Sequence, residues 1–303
     1  FVGEYLGTFT SPAGAKADGV AKVYARQSRK GLSYRAALCA VESGLIEKTV
    51  IAPGAKAIFS TEVTGSAEGP RMVLKGGGWS GSIEEGKLTA EGTGGKLELR
   101  SVVRKSPTEL AEPPAGAIVL LPYKAGKPTS LDEWTNKQWV LLPDGSMMVS
   151  GGDNNTTRRF SKFKLHLEFR IPALGRGSGN SGVYILDRYE IQVLDSFGRK
   201  PSKGGCAAVY QTFPAAADAC LPTGRWQTFD ITFRGAKLEG DKAAQLPKVT
   251  VVHNGVTVHK DVDVPHATGN ARSKGHAETG PIRLQSHGSP VRYRNIWIVE
   301  LDK

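Results

Sequence analysis

Cysteine and methionine are scarce in this chain, with three of each among 303 residues. No two cysteines form a C-x-x-C pair, so neither a zinc ribbon nor a thioredoxin-type centre is expected. Long apolar runs are missing as well. Gly116-Ala-Ile-Val-Leu-Leu-Pro122 is among the longest, far short of the roughly 20 residues that carry a helix across a bilayer, so no membrane span is expected. G-x-S-x-G, H-E-x-x-H and phosphate-loop motifs are absent too, and no dinucleotide fingerprint opens a helical pattern, which disfavours a serine triad, ATP chemistry and a bound nicotinamide. The net charge of +11 is spread along the chain without a Lys/Arg block or basic–aromatic interleaving. That pattern argues against nucleic acid as partner. It suits a solvated basic surface or one that attracts an anionic polysaccharide.

Helical periodicity is nearly absent. Short alternating runs recur between Gly, Pro, Asn and Asp, as in Lys96-Leu-Glu-Leu-Arg-Ser-Val-Val103 and Lys164-Leu-His-Leu-Glu-Phe-Arg170, the pattern of an all-β protein. Pro107, Pro113 and Pro114 mark residues 106–115 as a linker. Before it, residues 1–105 are rich in glycine turns and read as a small β-roll or barrel without a catalytic constellation. After it, residues 116–303 hold ten or more strands, enough to split into a two-sheet sandwich. Asn254-Gly255 is the strongest hairpin signal, because both residues tolerate the positive φ of a type I′ turn. The strand ending near Leu301 is expected to bury Ile296 and Ile298, with Trp297 in or beside the core.

In Tyr189-Glu-Ile-Gln-Val-Leu-Asp195 a period of two puts Ile191 and Val193 on one face and Glu190 and Gln192 on the other. Such a polar row is either a wet strand face or the floor of a sugar site. Gly179-Asn-Ser-Gly182 is either plain turn chemistry or a turn that brings Asn180 and Ser181 to that floor. In Leu284-Gln-Ser-His-Gly288, Gln285 and His287 share a phase. A histidine there can act as a general base or bind a divalent cation with nearby carboxylates. His166, Glu168 and Arg170 share a strand face that could line the same sheet. Cys206 and Cys220, 14 apart, are either a disulfide that would imply an oxidising compartment or two buried thiols.

From about Glu112 onward the chain resembles the 3-keto-disaccharide hydrolase domain family, through "FKLHLEFRIP", "GNSGVYI", "RYEIQVLDSFG", "CAAVY", "WQTFDITF", "VTVVHNGVTVH" and "GPIRLQSHGSPVRYRNIWIVEL". Its preceding β domain resembles a layout found in secreted proteins of environmental bacteria such as planctomycetes. The resemblance implies a concanavalin A-like jelly roll, a carbohydrate partner, and a secreted or periplasmic location. It also implies cleavage of glycosides already oxidised at C3, as a hydrolase or lyase. Where the family commonly has "LQDHG" this chain has Ser286, which puts activity or metal dependence in question. On that resemblance the expected roles are Glu190 or His287 as base, and Arg292 or a divalent cation, held by Glu190 and His287, on the enolate. Gln192, Gln285 and Tyr210 would orient the sugar, and Trp226 is expected in the core. A non-catalytic carbohydrate-binding module is the first alternative. A direct glycosidase, with Glu168 as the second carboxyl beside Glu190, is the other.

Overall fold

Apolar–polar alternation becomes strand throughout the computed structural model, which describes residues 1–28, 31–47, 49–173, 179–240 and 242–301. Among the described residues there is no α-helix, and therefore none long and apolar enough to cross a membrane. The chain divides into two compact units, residues 1–104 with 197–200, and residues 105–196 with 201–303.

The first unit carries β1 (Gly3–Thr10), β2 (Lys16–Ser28), β3 (Gly31–Val41), β4 (Ile46–Glu47), β5 (Val50–Ile51) and β6 (Ala57–Glu68). It continues with β7 (Arg71–Gly76), β8 (Trp79–Glu84), β9 (Lys87–Gly92) and β10 (Gly95–Val102). Eight of these strands close into a barrel in the order β1-β10-β9-β8-β7-β6-β3-β2. Every second residue points inward, so Leu97 and Leu99 of β10 and Met72 and Leu74 of β7 meet inside with Phe9 and Trp79. Each such buried side chain contributes about 1.5–3 kcal/mol. Closure pairs both edges of the sheet and leaves none to template aggregation.

The second unit begins with β11 (Ile118–Leu121), β12 (Val140–Leu141), β13 (Met147–Met148), β14 (Asn154–Asn155), β15 (Lys162–Arg170), β16 (Ser181–Ile185) and β17 (Tyr189–Val193). It ends with β18 (Trp226–Arg234), β19 (Lys237–Glu239), β20 (Lys242–Gln245), β21 (Lys248–His253), β22 (Val256–Asp263), β23 (Arg283–Leu284) and β24 (Arg292–Glu300). The large sheet runs β12-β13-β24-β15-β18-β21-β22, with β11 also on β24, and a smaller sheet runs β14-β23-β16-β17. Their inner faces form one core. The Tyr189 and Phe233 rings lie 5.7 Å apart, and Ser181 Oγ is 2.7 Å from Tyr293 Oη. Ile296 and Ile298 are buried in that core, and Asn254-Gly255 turns between β21 and β22 with φ of 52° and 81°.

The outer face of the large sheet differs from expectation. Residues 106–111 do not form a free linker but lie against it. Thr108 Oγ1 donates to Asp230 Oδ2 at 2.7 Å, and the Leu110 N–H donates to Glu168 Oε1 at 2.6 Å. Asn295 Nδ2 donates to Ala111 O at 2.9 Å. Strand alternation sends Phe163, Leu165, Leu167 and Phe169 into the core, so His166, Glu168 and Arg170 point the other way, His166 and Glu168 buried under this cover and Arg170 half-buried beside the Trp226 ring. They were expected to line the sugar sheet and instead belong to a polar lock on the opposite face. Trp226 sits there too, half-buried rather than in the core, with the Arg294 guanidinium 4.1 Å from its ring.

Candidate active site

The smaller sheet gathers the groups with reactive potential. β16 and β17 pair antiparallel with Tyr184 opposite Glu190 and Gly182 opposite Gln192. On the other side of β16, Tyr184 faces Arg283 of β23. One row across the sheet therefore reads Arg283, Tyr184, Glu190. The next holds Gly182 and Gln192, and Gln285 joins it by donating its backbone N–H to Gly182 O at 2.9 Å. All of these side chains point away from the sandwich core, because Val183, Ile191 and Val193 occupy the inward phase. They are nonetheless buried, with Glu190 only 1% exposed.

Close packing shapes the row. Tyr184 Oη donates to Glu190 Oε2 at 2.6 Å, and Gln285 Nε2 lies 3.4 Å from the same hydroxyl. The Arg283 guanidinium lies 3.6 Å over the Tyr184 ring. It is held by Asp153 Oδ2 at 2.7 Å and by an ion pair with Asp187. Glu190 Oε1 lies over Gly182, where a Cβ would come within 2.2 Å of it. Only glycine admits the carboxyl there. Asp187 reaches Arg283 from a tight turn: Leu186 and Asp187 both have positive φ (54° and 59°), and the Arg188 N–H closes the turn on Ile185 O at 3.0 Å. Non-glycine residues in that region cost about 1–3 kcal/mol each and persist where packing imposes them. Gly280 provides that packing, since a Cβ on it would lie 2.7 Å from the Leu186 backbone.

The electrostatics follow from this burial. Desolvation pushes the Glu190 carboxyl up. The Tyr184 hydrogen bond and the Arg283 charge pull it back, the Asp153 charge adds to the rise, and the result is about 7. A carboxyl at that value gives or takes a proton with little cost near neutrality, as a general acid or base requires. Tyr184 is pushed up, chiefly by burial and by the Glu190 charge, and so stays a hydroxyl donor. Among the described residues, Gln192 Oε1 and Asn180 Oδ1 are buried with no hydrogen-bond partner. Acceptors left in that condition in a native fold call for a ligand or solvent partner.

The remaining expected residues are placed as follows. Tyr210 is half-buried on the segment that docks along β17, its N–H donating to Glu190 O at 3.0 Å. Ser181 does not approach the floor. It belongs to the inward phase of β16 and donates to Gln285 O at 2.6 Å. Arg292 is on the wrong sheet face: its neighbour Tyr293 points into the core, so Arg292 points outward and pairs with Asp144 at 3.3 Å. The guanidinium beside Glu190 is that of Arg283. His287 is exposed just after β23, and the described contacts do not join it to Glu190. Ser286 contributes its backbone N–H, which donates to Asp153 Oδ1 at 2.8 Å. Glu168 cannot be a second carboxyl at Glu190, because it lies on the far sheet in an ion pair with Arg294 at 2.7 Å.

A divalent cation on Glu190 and His287 does not fit these residues. One oxygen of Glu190 accepts from Tyr184, the carboxyl carries its proton up to about pH 7, a guanidinium is its close neighbour, and His287 is exposed. Cys206 and Cys220 are two buried thiols with no disulfide between them, not the bridge that their spacing also allowed. They are nevertheless brought together and buried, and a ring nitrogen of His253 lies within 4.8 Å of both sulfurs.

Tyr184, Arg283, Asp153 and Gly182 were not expected in the site. Gly182 and Tyr184 alternate on the Glu190 face once the β16–β17 register is known, and Arg283 stands two residues before Gln285. Asp153, in Gly-Gly-Asp-Asn-Asn, gave no local signal.

Residues 116–299 match the model of the 3-keto-alpha-glucoside-1,2-lyase-like domain. The chain belongs to this family. A crystal structure from Parabacteroides distasonis ATCC 8503, described as a glycosyl hydrolase, is 32% identical with a TM-score of 0.55, covering 62% of this chain and 85% of that one. A second structure from the same organism, described in the same words, is 23% identical with a TM-score of 0.43, covering 56% and 95%. No curated protein matches the chain. Family membership and the first neighbour make the chain a carbohydrate-active enzyme in kind.

Proposed function

We propose that the second unit cleaves 3-keto-glycosides by elimination followed by hydration, with Glu190 as the proton-transferring group. The observation that carries this reading is the buried Glu190 carboxyl at about 7, hydrogen-bonded by Tyr184 and flanked by Arg283. A ketone at C3 acidifies the hydrogen at C2 and places the C1–oxygen bond β to the resulting carbanion. Ionised Glu190 takes the C2 proton. The electron pair runs through the enolate, the C1–oxygen bond breaks, and the same carboxyl returns its proton to the departing oxygen. Water then adds across C1 and C2, so the sum is hydrolysis. In this reading the amide groups of Gln192 and Gln285 hydrogen-bond the ketone and ring hydroxyls, where charge that develops in the transition state is best stabilised by preset donors. Tyr210, at the edge of β17, orients the sugar.

A direct glycosidase is favoured by one observation: Asp153 supplies a second carboxyl on the same sheet face, near enough to influence Glu190. The assay that separates the readings incubates the protein with a 3-keto-glucoside and, separately, its unoxidised parent. Turnover of the keto form alone is expected. Turnover of the parent selects the direct glycosidase, and binding of either without turnover selects a carbohydrate-binding module.

A further inference from the structure

The second unit holds a cluster that the proposed chemistry does not use. Cys206 and Cys220 lie at the two ends of a loop, and His253 ends β21. All three are at least 95% buried, and one donor atom from each lies within 4.8 Å of the others. Around a tetrahedral zinc ion, with Zn–S of about 2.3 Å and Zn–N of about 2.0 Å, donor atoms stand roughly 3.5–4 Å apart. Donors that all lie within 4.8 Å of one another are within a small side-chain shift of that size.

The surroundings of the histidine favour coordination. His253 Nε2 is 3.0 Å from Gln227 Oε1. That oxygen also accepts from the Leu221 N–H at 3.0 Å and from Asn254 Nδ2 at 3.2 Å, so it is the acceptor and Nε2 carries the proton. The neutral ring then presents its lone pair at Nδ1. A ligating histidine is oriented in just this manner, by a carbonyl that accepts from its other nitrogen. The Phe229 ring packs edge-on against the imidazole with centroids 4.9 Å apart and limits its rotation. Ser196 Oγ, 3.4 Å from Cys220 Sγ, adds an oxygen beside the sulfurs.

We infer that Cys206, Cys220 and His253 bind a zinc ion, with the Ser196 hydroxyl or a water as the fourth ligand. Two thiol protons leave as the cation enters, and the neutral imidazole binds without losing one. Two thiolates and an imidazole suit zinc better than the oxygen-seeking calcium or magnesium. The ion would clamp the segment that borders the candidate site. Ala207 donates its N–H to Gln192 O, and Tyr210 donates its own to Glu190 O, both within four residues of Cys206. This site is separate from Glu190 and does not depend on the reaction proposed for it.

The test measures metal, not activity. Protein purified without chelator and under reducing conditions is expected to carry about one zinc ion per chain by elemental analysis. C206S, C220S and H253A are each expected to lose most of it. Cobalt substituted into the wild type is expected to show thiolate-to-metal charge-transfer absorption and the intense visible bands of a tetrahedral site. Reduced protein that takes up neither metal overturns the inference, as does metal content unchanged in C206S and H253A. Recovery of Cys206 and Cys220 as a disulfide from the reducing preparation also overturns it. Should the variants fail to fold, the cobalt spectrum of the wild type decides alone.

Discussion

The second unit buries a glutamate on the outward face of each of its two sheets, and the two carboxyls are driven in opposite directions. Glu168, on the large sheet, is fully buried, yet it is held below the usual carboxylate range. Burial pushes it up, but the neighbouring His166 ring, hydrogen bonds from Asn295 and the Leu110 N–H and the charge of Arg294 outweigh that. Glu190, on the small sheet, is equally buried and rises to about 7. Tyr184 is the one side chain donating to it among the described contacts, and the Asp153 charge adds to the rise. Burial alone therefore decides neither outcome. A desolvated carboxyl stays ionised where several donors converge on it, and takes a proton where they are few. The first arrangement is a structural lock and the second a poised acid.

The contrast also runs through the histidine of the lock. Burial pulls the His166 imidazolium down, but the hydrogen bond to Asp230 and the nearby Glu168 carboxylate more than offset it, so its pKa is raised. Asp230 Oδ1 lies 2.7 Å from Nδ1, and the ring stacks on Trp297 at 4.9 Å. The ring serves the cover of residues 106–111, not the sheet that carries Glu190.

Five substitutions or titrations would break or sharpen this comparison. E190Q keeps shape and hydrogen bonding but loses the titrating proton, and turnover of a 3-keto-glucoside is expected to fall about 10³-fold. Unchanged turnover would remove Glu190 from the mechanism. On the other face, E168A leaves Arg294 and Asn295 facing a buried gap, and chemical denaturation is expected to show a loss of about 4 kcal/mol. A loss below 1 kcal/mol would mean that the lock is not closed in solution.

The two carboxyls should also give opposite pH dependences. Glu190 binds its proton more tightly folded than unfolded. Its contribution is fully present below about pH 4.5 and is lost as pH rises to about 7. That loss is worth about 3 kcal/mol, and E190Q should abolish it in denaturation curves taken across the range. Glu168 has the reverse sign: its contribution is present above the ordinary carboxylate range and is lost as pH falls through its depressed value. G182A forces a methyl group against Glu190 Oε1, and overpacking of this kind costs about 2 kcal/mol. It should also displace the carboxyl, visible as a shifted pH–rate profile. The smallest effect is expected from Y184F. It removes one hydrogen bond, worth about 1 kcal/mol, and because that bond lowers Glu190, the acid limb of the pH–rate profile should move to higher pH.

Much of the architecture could be read directly from residue order. The alternation in Lys96-Leu-Glu-Leu-Arg and in Lys164-Leu-His-Leu-Glu-Phe placed each side chain on the correct side of its strand, and Asn254-Gly255 marked its hairpin. Of the site, Glu190, Gln192 and Gln285 could be selected because strand parity expels them from the core. Parity could not tell which outward face would be covered. It made His166 and Glu168 look as available as Glu190, although their face is closed by residues 106–111. It likewise pointed to Arg292, whereas the guanidinium beside Glu190 is that of Arg283, on another strand late in the chain.

By itself, then, the order of residues determined an all-β chain, the inward and outward sets of each strand, and the few polar residues that could serve chemistry. Those properties depend on neighbours two positions apart. The tertiary structure alone decided that Arg283, Tyr184 and Glu190 share a row, that Asp153 braces it from 130 residues away, and that Cys206, Cys220 and His253 converge. These depend on register between distant strands and on which sheet each strand joins. Both are set by the packing of two whole sheets against one core rather than by any local pattern.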